Sequence, residues 1–399
     1  MKVSLDFLHK HQFFRMKHTE LNEIFWSMCL RSFFLSLTVI FIPIYLYKLG
    51  YSANNIMFFY LILYISESLF EYIALNFLVK FGPKHNILFS LPALVLYFIL
   101  LLSLPLYQWS LWIIAIVGAS SMSFFWQGYH FDFSKAKHSH EVAEEISKLY
   151  IFASLLGAAA PFIGGLVASY LGMNILYIIT VMGLIVFAMP LFETGKPYVR
   201  GNIDFGRINL KKLTKQLISY GGYGVENVAS IVIWPFFIFL ILESYTNVGF
   251  VTSLALVVAV IALYYVGKKA DHEEKVRYIK SGSIMAGITH TAKALASSSF
   301  HIVFLNIITS VAHSMFVSTW IAEYYLHADE EGRVEYIFIM ELSTDIARVL
   351  FFAILYFLSF FLELKQLLAV GLVICGLSTF FIALMLPASI EIIGKSKSA

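Results

Sequence analysis

Long apolar runs, each cut off by a short polar or Gly-Pro break, restrict what this chain can fold into more than any other feature. On either side of the polar interval Thr194 to Lys215, TGKPYVRGNIDFGRINLKKLTK, the sequence divides into six such runs. A run of about 20 apolar residues is long enough to cross a bilayer. Hydrophobic residues make up 59% of the 399-residue chain and charged residues 13%, against about 45–50% and about 25% in soluble domains. Backbone amides inside hydrocarbon must pair internally, and no ten-residue alternation of a barrel is present, so the runs are expected to be α-helices.

Several function classes fall away at this point. A net charge of +3 on so apolar a chain is no nucleic-acid signature, and no nucleic-acid partner is expected. Cys29 and Cys375 lie far apart within apolar runs, so they read as packing residues rather than a disulfide framework or metal site. No zinc spacing, nucleotide-binding glycine loop or nucleophile elbow occurs. No cofactor and no metal are therefore expected, nor a self-contained ATP-driven pump.

Taken in order, the first twenty residues mix Leu5, Phe7, Leu8, Phe13 and Phe14 with Lys2, Lys10, Arg15 and Lys17. They read either as an interfacial amphipathic segment or as a basic tail. Spans are expected at about 22–47, 53–79, 86–106, 109–131, 146–170 and 174–191, with breaks at Phe81-Gly82-Pro83-Lys84 and Leu171-Gly172-Met173. The second set falls at about 216–243, 248–267, 279–297, 299–326, 334–362 and 366–389. Span nine is the weakest, diluted by Ser281, Ser283, His290 and Lys293. The expected units are an N-terminal half 1–193, a central loop 194–215 and a C-terminal half 216–399.

Lysine and arginine are retained on the cytoplasmic side of a membrane protein. Of 28 such residues all but five fall at the termini or in loops on one side; Lys48 and Lys365 lie on the other, and Arg31, Lys293 and Arg348 within spans. Both termini and the central loop are therefore expected in the cytoplasm. The halves can be overlaid at Pro43 and Pro235, and parallel repeats of this kind build one large group of secondary transporters.

Ionisable residues inside spans are expensive and face a partner or a cavity. They are Arg31, Glu67, Glu71, His130 and Asp132 in the first half and Glu226, His290, Lys293, His301, His313, Glu341, Asp345 and Arg348 in the second. Glu67 and Glu71 stand four apart, and Glu341, Asp345 and Arg348 follow an i, i+4, i+7 pattern, so each set forms a stripe along one helix face.

Three pieces of sequence carry a family resemblance. Lys80, Gly82 and Lys84 follow span two, and Gly267, Lys268, Lys269 and Asp271 follow span eight. LLGAAAPFIGG in span five, with Gly157, Ala160, Pro161, Gly164 and Gly165, is similar to a GPxxGG element of antiporters. With twelve spans in two halves of six, the chain resembles the major facilitator superfamily. Val79 stands where the loop signature carries an acidic residue, and Ala160 where the span-five element has its first glycine.

The resemblance implies an all-α membrane protein and a secondary active transporter of a small organic molecule working by alternating access, proton-coupled and leaning to export. A membrane-embedded enzyme or scaffold acting on lipid-linked substrates is the alternative, and catalysis is not expected. It further implies a monomer in the plasma membrane whose partners are its substrate, H+ and lipid. By resemblance the cavity holds Arg31, Gln127, Glu226, Asn306, His313 and Trp320, while Glu67 and Glu71 meet Glu341, Asp345 and Arg348 between the halves. His313 reads as a packing residue or a proton carrier, and His130 with Asp132 as a gating pair or as part of an interfacial aromatic belt. Gly157, Pro161, Gly164 and Gly165 bend span five and admit a close neighbour, with or without a bearing on direction. At 1.5 Å rise per residue, Arg31 and Glu226 lie at similar depth in spans one and seven. Pairing between them is expected, the alternative being that Arg31 reaches the headgroups and Glu226 bonds locally.

Overall fold

The computed structural model describes residues 19–136, 155–187, 203–269 and 272–385. The N-terminal segment, most of the loop 134–148, the start of span five, the end of span six and residues 194–202 of the central loop lie outside the described residues, as does Asp271. The rest forms twelve helical spans. Span one is broken: Thr19–Ser36 is followed by a 3-10 turn, Val39–Phe41, and by Ile42–Lys48. Spans two to six are Ala53–Phe81, Pro83–Tyr107, Leu111–Ala136, Leu155–Tyr170 and Met173–Phe187. Span seven runs through Thr214–Val228, a π turn at Ala229–Ile233 and Trp234–Leu242. Spans eight to eleven are Tyr245–Lys269, His272–Lys293, Ser299–Glu331 and Arg333–Leu358. Span twelve is Leu364–Thr379, extended by a 3-10 turn to Leu384.

The breaks have local causes. Gly82 adopts φ +91, a conformation that suits glycine, and Pro83, with no amide to donate, starts span three at once. Ser52 caps span two by accepting from the Asn55 amide at 3.3 Å, and Glu363 with Gln366 forms a capping box on span twelve. Pro43 and Pro235 each open the second piece of a broken span. A proline inside a helix leaves the carbonyl four residues back without its donor, and spans one and seven answer with a 3-10 and a π irregularity at the overlaid positions. Span nine begins seven residues earlier than the sequence implies, at His272 rather than 279, and ends at Lys293.

Packing repeats with a period of six spans. One packs on six as seven does on twelve, two on four as eight on ten, three on four as nine on ten, and three on six as nine on twelve. The halves meet along two seams that the repeat relates: span two against eleven, and span five against eight. Polarity is distributed as hydrocarbon requires. On span two Leu69 is 68% exposed while Glu67 and Glu71 are 1% exposed, so the apolar face looks outward and charge is held inside.

Candidate functional site

The seam between spans two and eleven is charged. Arg348 Nη1 lies 3.0 Å from Asp345 Oδ1 and 3.8 Å from Glu67 Oε2. Gln127 of span four donates to Glu71 Oε2 at 2.5 Å, and Glu67, Glu71 and Asp345 each place a carboxylate oxygen within 4.8 Å of the others. Glu341 accepts from the Tyr324 hydroxyl at 3.3 Å and lies 3.4 Å from His130 Nε2. His130 Nδ1 is 2.7 Å from the Tyr325 hydroxyl. Acidic groups outnumber the one guanidinium here, an arrangement suited to holding a proton or a cation. Above it Tyr60 and Tyr64 stack on Phe352 at 5.1 and 5.4 Å.

The other seam carries no charged side chain among the described residues. A Cβ on Gly165 would stand 2.5 Å from the Tyr245 carbonyl, and one on Gly164 or Gly249 would collide with the backbone of Leu37 or Pro161. Phe162 N donates to Ser253 Oγ at 2.9 Å, and Thr246 Oγ1 to Ser169 Oγ at 2.9 Å. Backbone rests on backbone, the usual use of small residues between membrane helices. Gly157 is different, with only Ser36 Oγ, at 3.8 Å, near an added Cβ.

A second polar centre lies within the C-terminal half. Glu226 is 1% exposed; its Oε1 is 3.2 Å from His290 Nε2, 3.3 Å from His313 Nδ1 and 3.2 Å from Ser230 Oγ. His290 is fully buried, and the His313 side chain keeps 33% of its surface exposed. Three groups able to carry a proton thus form one chain from a sealed position to a reachable one. Lys293, one turn beyond His290, rests its Nζ 4.7 Å from the Trp234 ring centroid.

This arrangement corrects the expected pairing of Arg31 with Glu226. Two imidazoles and a serine occupy Glu226, and Arg31 lies over Phe125 with its guanidinium carbon 3.5 Å from the ring centroid and 5.7 Å from that of Trp126. Equal depth along two helices does not fix which way their side chains point. Three other residues expected in the cavity are bonded between helices. Gln127 joins the carboxylates. Asn306 accepts from Trp234 Nε1 at 3.0 Å and donates to the Val251 carbonyl at 3.1 Å. Trp320 donates to Ser219 Oγ at 2.9 Å and lies on Tyr223 at 4.3 Å. His290, one of the ionisable residues counted within spans, enters the site, as does Tyr324, which the sequence did not single out. His301 stays near the exposed start of span ten, bonded to Ser297.

The halves touch at both ends. On the side of Lys48, Tyr47 meets Phe236 and Phe41 meets Tyr245, each with ring centroids 5.6 Å apart. On the side of Lys80, Lys84 and Lys135, His130 and Phe133 of span four meet Tyr325 of span ten. Of the polar groups described above, His130 takes part in the second contact, while Glu67, Glu71, Glu226, Asp345 and Arg348 belong to neither. A cleft of about 580 Å³, lined by Leu49, Tyr51, Asn55, Phe58, Trp109 and Trp112, opens at one end of the first half, away from them.

No protein-family model and no curated protein matches the chain by sequence. Solved structures do match by shape. The transporter FucP, captured in its outward conformation, superposes with a TM-score of 0.62 at 13% identity, over 90% of this chain and 97% of its own. The human organic anion transporter MFSD10 gives 0.64 at 10% identity, over 92% and 99%. The nucleoside transporter NupG gives 0.64 at 10%, over 92% and 98%.

Proposed function

We infer that this chain, an all-α membrane protein with the fold of the major facilitator superfamily, is a secondary active transporter that moves a small organic molecule by alternating access. The observation that carries the reading is the pair of contacts between the halves, one at each end, with further buried ionisable groups that belong to neither. A path through such a molecule opens by parting one contact while the other holds. The boundary between the rocking halves falls in the segment 194–215, and the charge bias favours both termini on the cytoplasmic face of the plasma membrane. Cysteines at Leu171 and Leu210, exposed at 62% and 54%, should then react with a membrane-impermeant reagent from opposite sides.

Coupling to protons is supported by the Glu226, His290 and His313 chain, which joins a sealed carboxylate to a reachable imidazole, and FucP is described as a fucose:proton symporter. Export rests on the resemblance of the span-five element alone, since close packing accounts for Gly164 and Gly165. The test is accumulation from a metabolite mixture by proteoliposomes under an imposed pH gradient. Glu226→Gln should abolish gradient-driven accumulation and retain exchange at equal pH. Accumulation like that of the parent would refute proton coupling through Glu226.

A further inference from the structure

Two buried cations, Arg31 and Lys293, form no ion pair with a carboxylate among the described residues. Glu67 and Asp345 have Arg348, Glu71 has Gln127, Glu341 has Tyr324 and His130, and Glu226 has its two histidines. Lys293 shares its half with Glu226 and sits one turn from His290. Arg31 is 5% exposed, its Nε has no hydrogen-bond partner, and an aromatic face is what its guanidinium rests on. A charge kept out of water without a counterion is costly. Stacking on Phe125 offsets part of that and covers one face of the guanidinium, leaving the N–H edge, the part that fits an oxyanion in a two-pronged bond.

The position of Arg31 fits a ligand site. It projects from span one, whose far piece closes against span seven, onto span four, whose other end closes against span ten. Trp126 stacks on His130 at 5.3 Å, and His130 reaches Tyr325 and Glu341 across the halves. An anion on Arg31 would therefore lie one aromatic ring away from the contact that has to part.

Resting on the transporter reading, we propose that Arg31 is the anion-recognising residue of the substrate site, and that the substrate class is a small organic anion: a carboxylate or phosphate head for the guanidinium, with an apolar or aromatic body for Phe125 and Trp126. A phospholipid headgroup offers the same phosphate chemistry, but an arginine 5% exposed is sealed from the lipid surface.

Binding to the purified full-length protein in detergent tests this without requiring transport. Benzoate, phenyl phosphate, benzamide and benzylamine present one ring with different charges. Saturating benzoate or phenyl phosphate should raise the Tm by about 2 °C or more and quench tryptophan fluorescence, while benzamide and benzylamine do neither. Arg31→Gln should lose the response and Arg31→Lys keep part of it. Should Arg31→Gln not fold, the four probes on the parent decide. The proposal is overturned if neither anion shifts the parent, if the neutral or cationic probe shifts it equally, if folded Arg31→Gln still responds, or if phosphatidylglycerol reproduces the shift that the ring anions do not. Anion binding without any flux would remove the transporter reading and leave the anion site; flux of a cation would do the reverse.

Discussion

The two seams between the halves occupy equivalent places in the repeat and are built from opposite materials. Spans two and eleven meet through Glu67 and Arg348, 3.8 Å apart, with Asp345 3.0 Å from the same guanidinium and a Glu71 carboxylate oxygen within 4.8 Å of those of Glu67 and Asp345. Spans five and eight meet through Gly165 and Gly249, where backbone lies against backbone, with Ser169, Thr246 and Ser253 bonding alongside. Ion pairs can exchange partners at little cost in geometry, whereas interlocked backbones tolerate only small rotations before they clash. The glycine seam is thus fitted to be the pivot and the charged seam to be the part that rearranges, an asymmetry that symmetric topology alone would not imply.

The largest effect is expected from emptying the charged seam of its cation. Arg348→Met leaves Glu67 and Asp345 facing each other and should lower stability by about 3–5 kcal/mol, with most of it recovered on adding Asp345→Asn and Glu67→Gln. Thermal unfolding of the three proteins measures this; a single mutant as stable as the parent would show that Arg348 holds nothing together. Next in size is Gly165→Leu, which drives a side chain into the Tyr245 carbonyl and should cost about 1–3 kcal/mol and stop flux while the protein still inserts. Full activity there would remove the pivot. Smallest is Gly157→Ala, in the same sequence element but with room for a Cβ, which would meet Ser36 Oγ at ordinary contact distance. It should be neutral or stabilise by up to about 1 kcal/mol, and a loss like that of Gly165→Leu would show that the whole element, not its seam face, is what matters.

The contrast also marks how far the sequence could be read. Span positions follow from hydrophobic run length, and Gly82-Pro83 fixes a boundary because both residues act on the backbone locally. The stripes at Glu67/Glu71 and Asp345/Arg348 were legible because four- and three-residue spacings are themselves geometric statements. What stayed hidden depends on rotation about helix axes. Arg31 and Glu226 share a depth but turn to different neighbours; the bonds of Gln127, Asn306 and Trp320 to neighbouring helices depend on the same rotation. The breaks in spans one and seven left no mark in hydropathy, since Leu37 to Phe41 and Ala229 to Ile233 are as apolar as their surroundings, and only Pro43 and Pro235 hinted at them.

Paired distances across the two ends of the molecule report whether the halves rock about the seam of spans five and eight. Spin labels at Leu106 and Leu295, 80% and 83% exposed on the side of Lys48, report one end of the halves; labels at Phe81 and Lys215, exposed on the basic side, report the other. Moving the labelled proteins between neutral and acidic buffer, the account predicts that one distance lengthens as the other shortens. Distances that stay fixed, or that lengthen together, would contradict it.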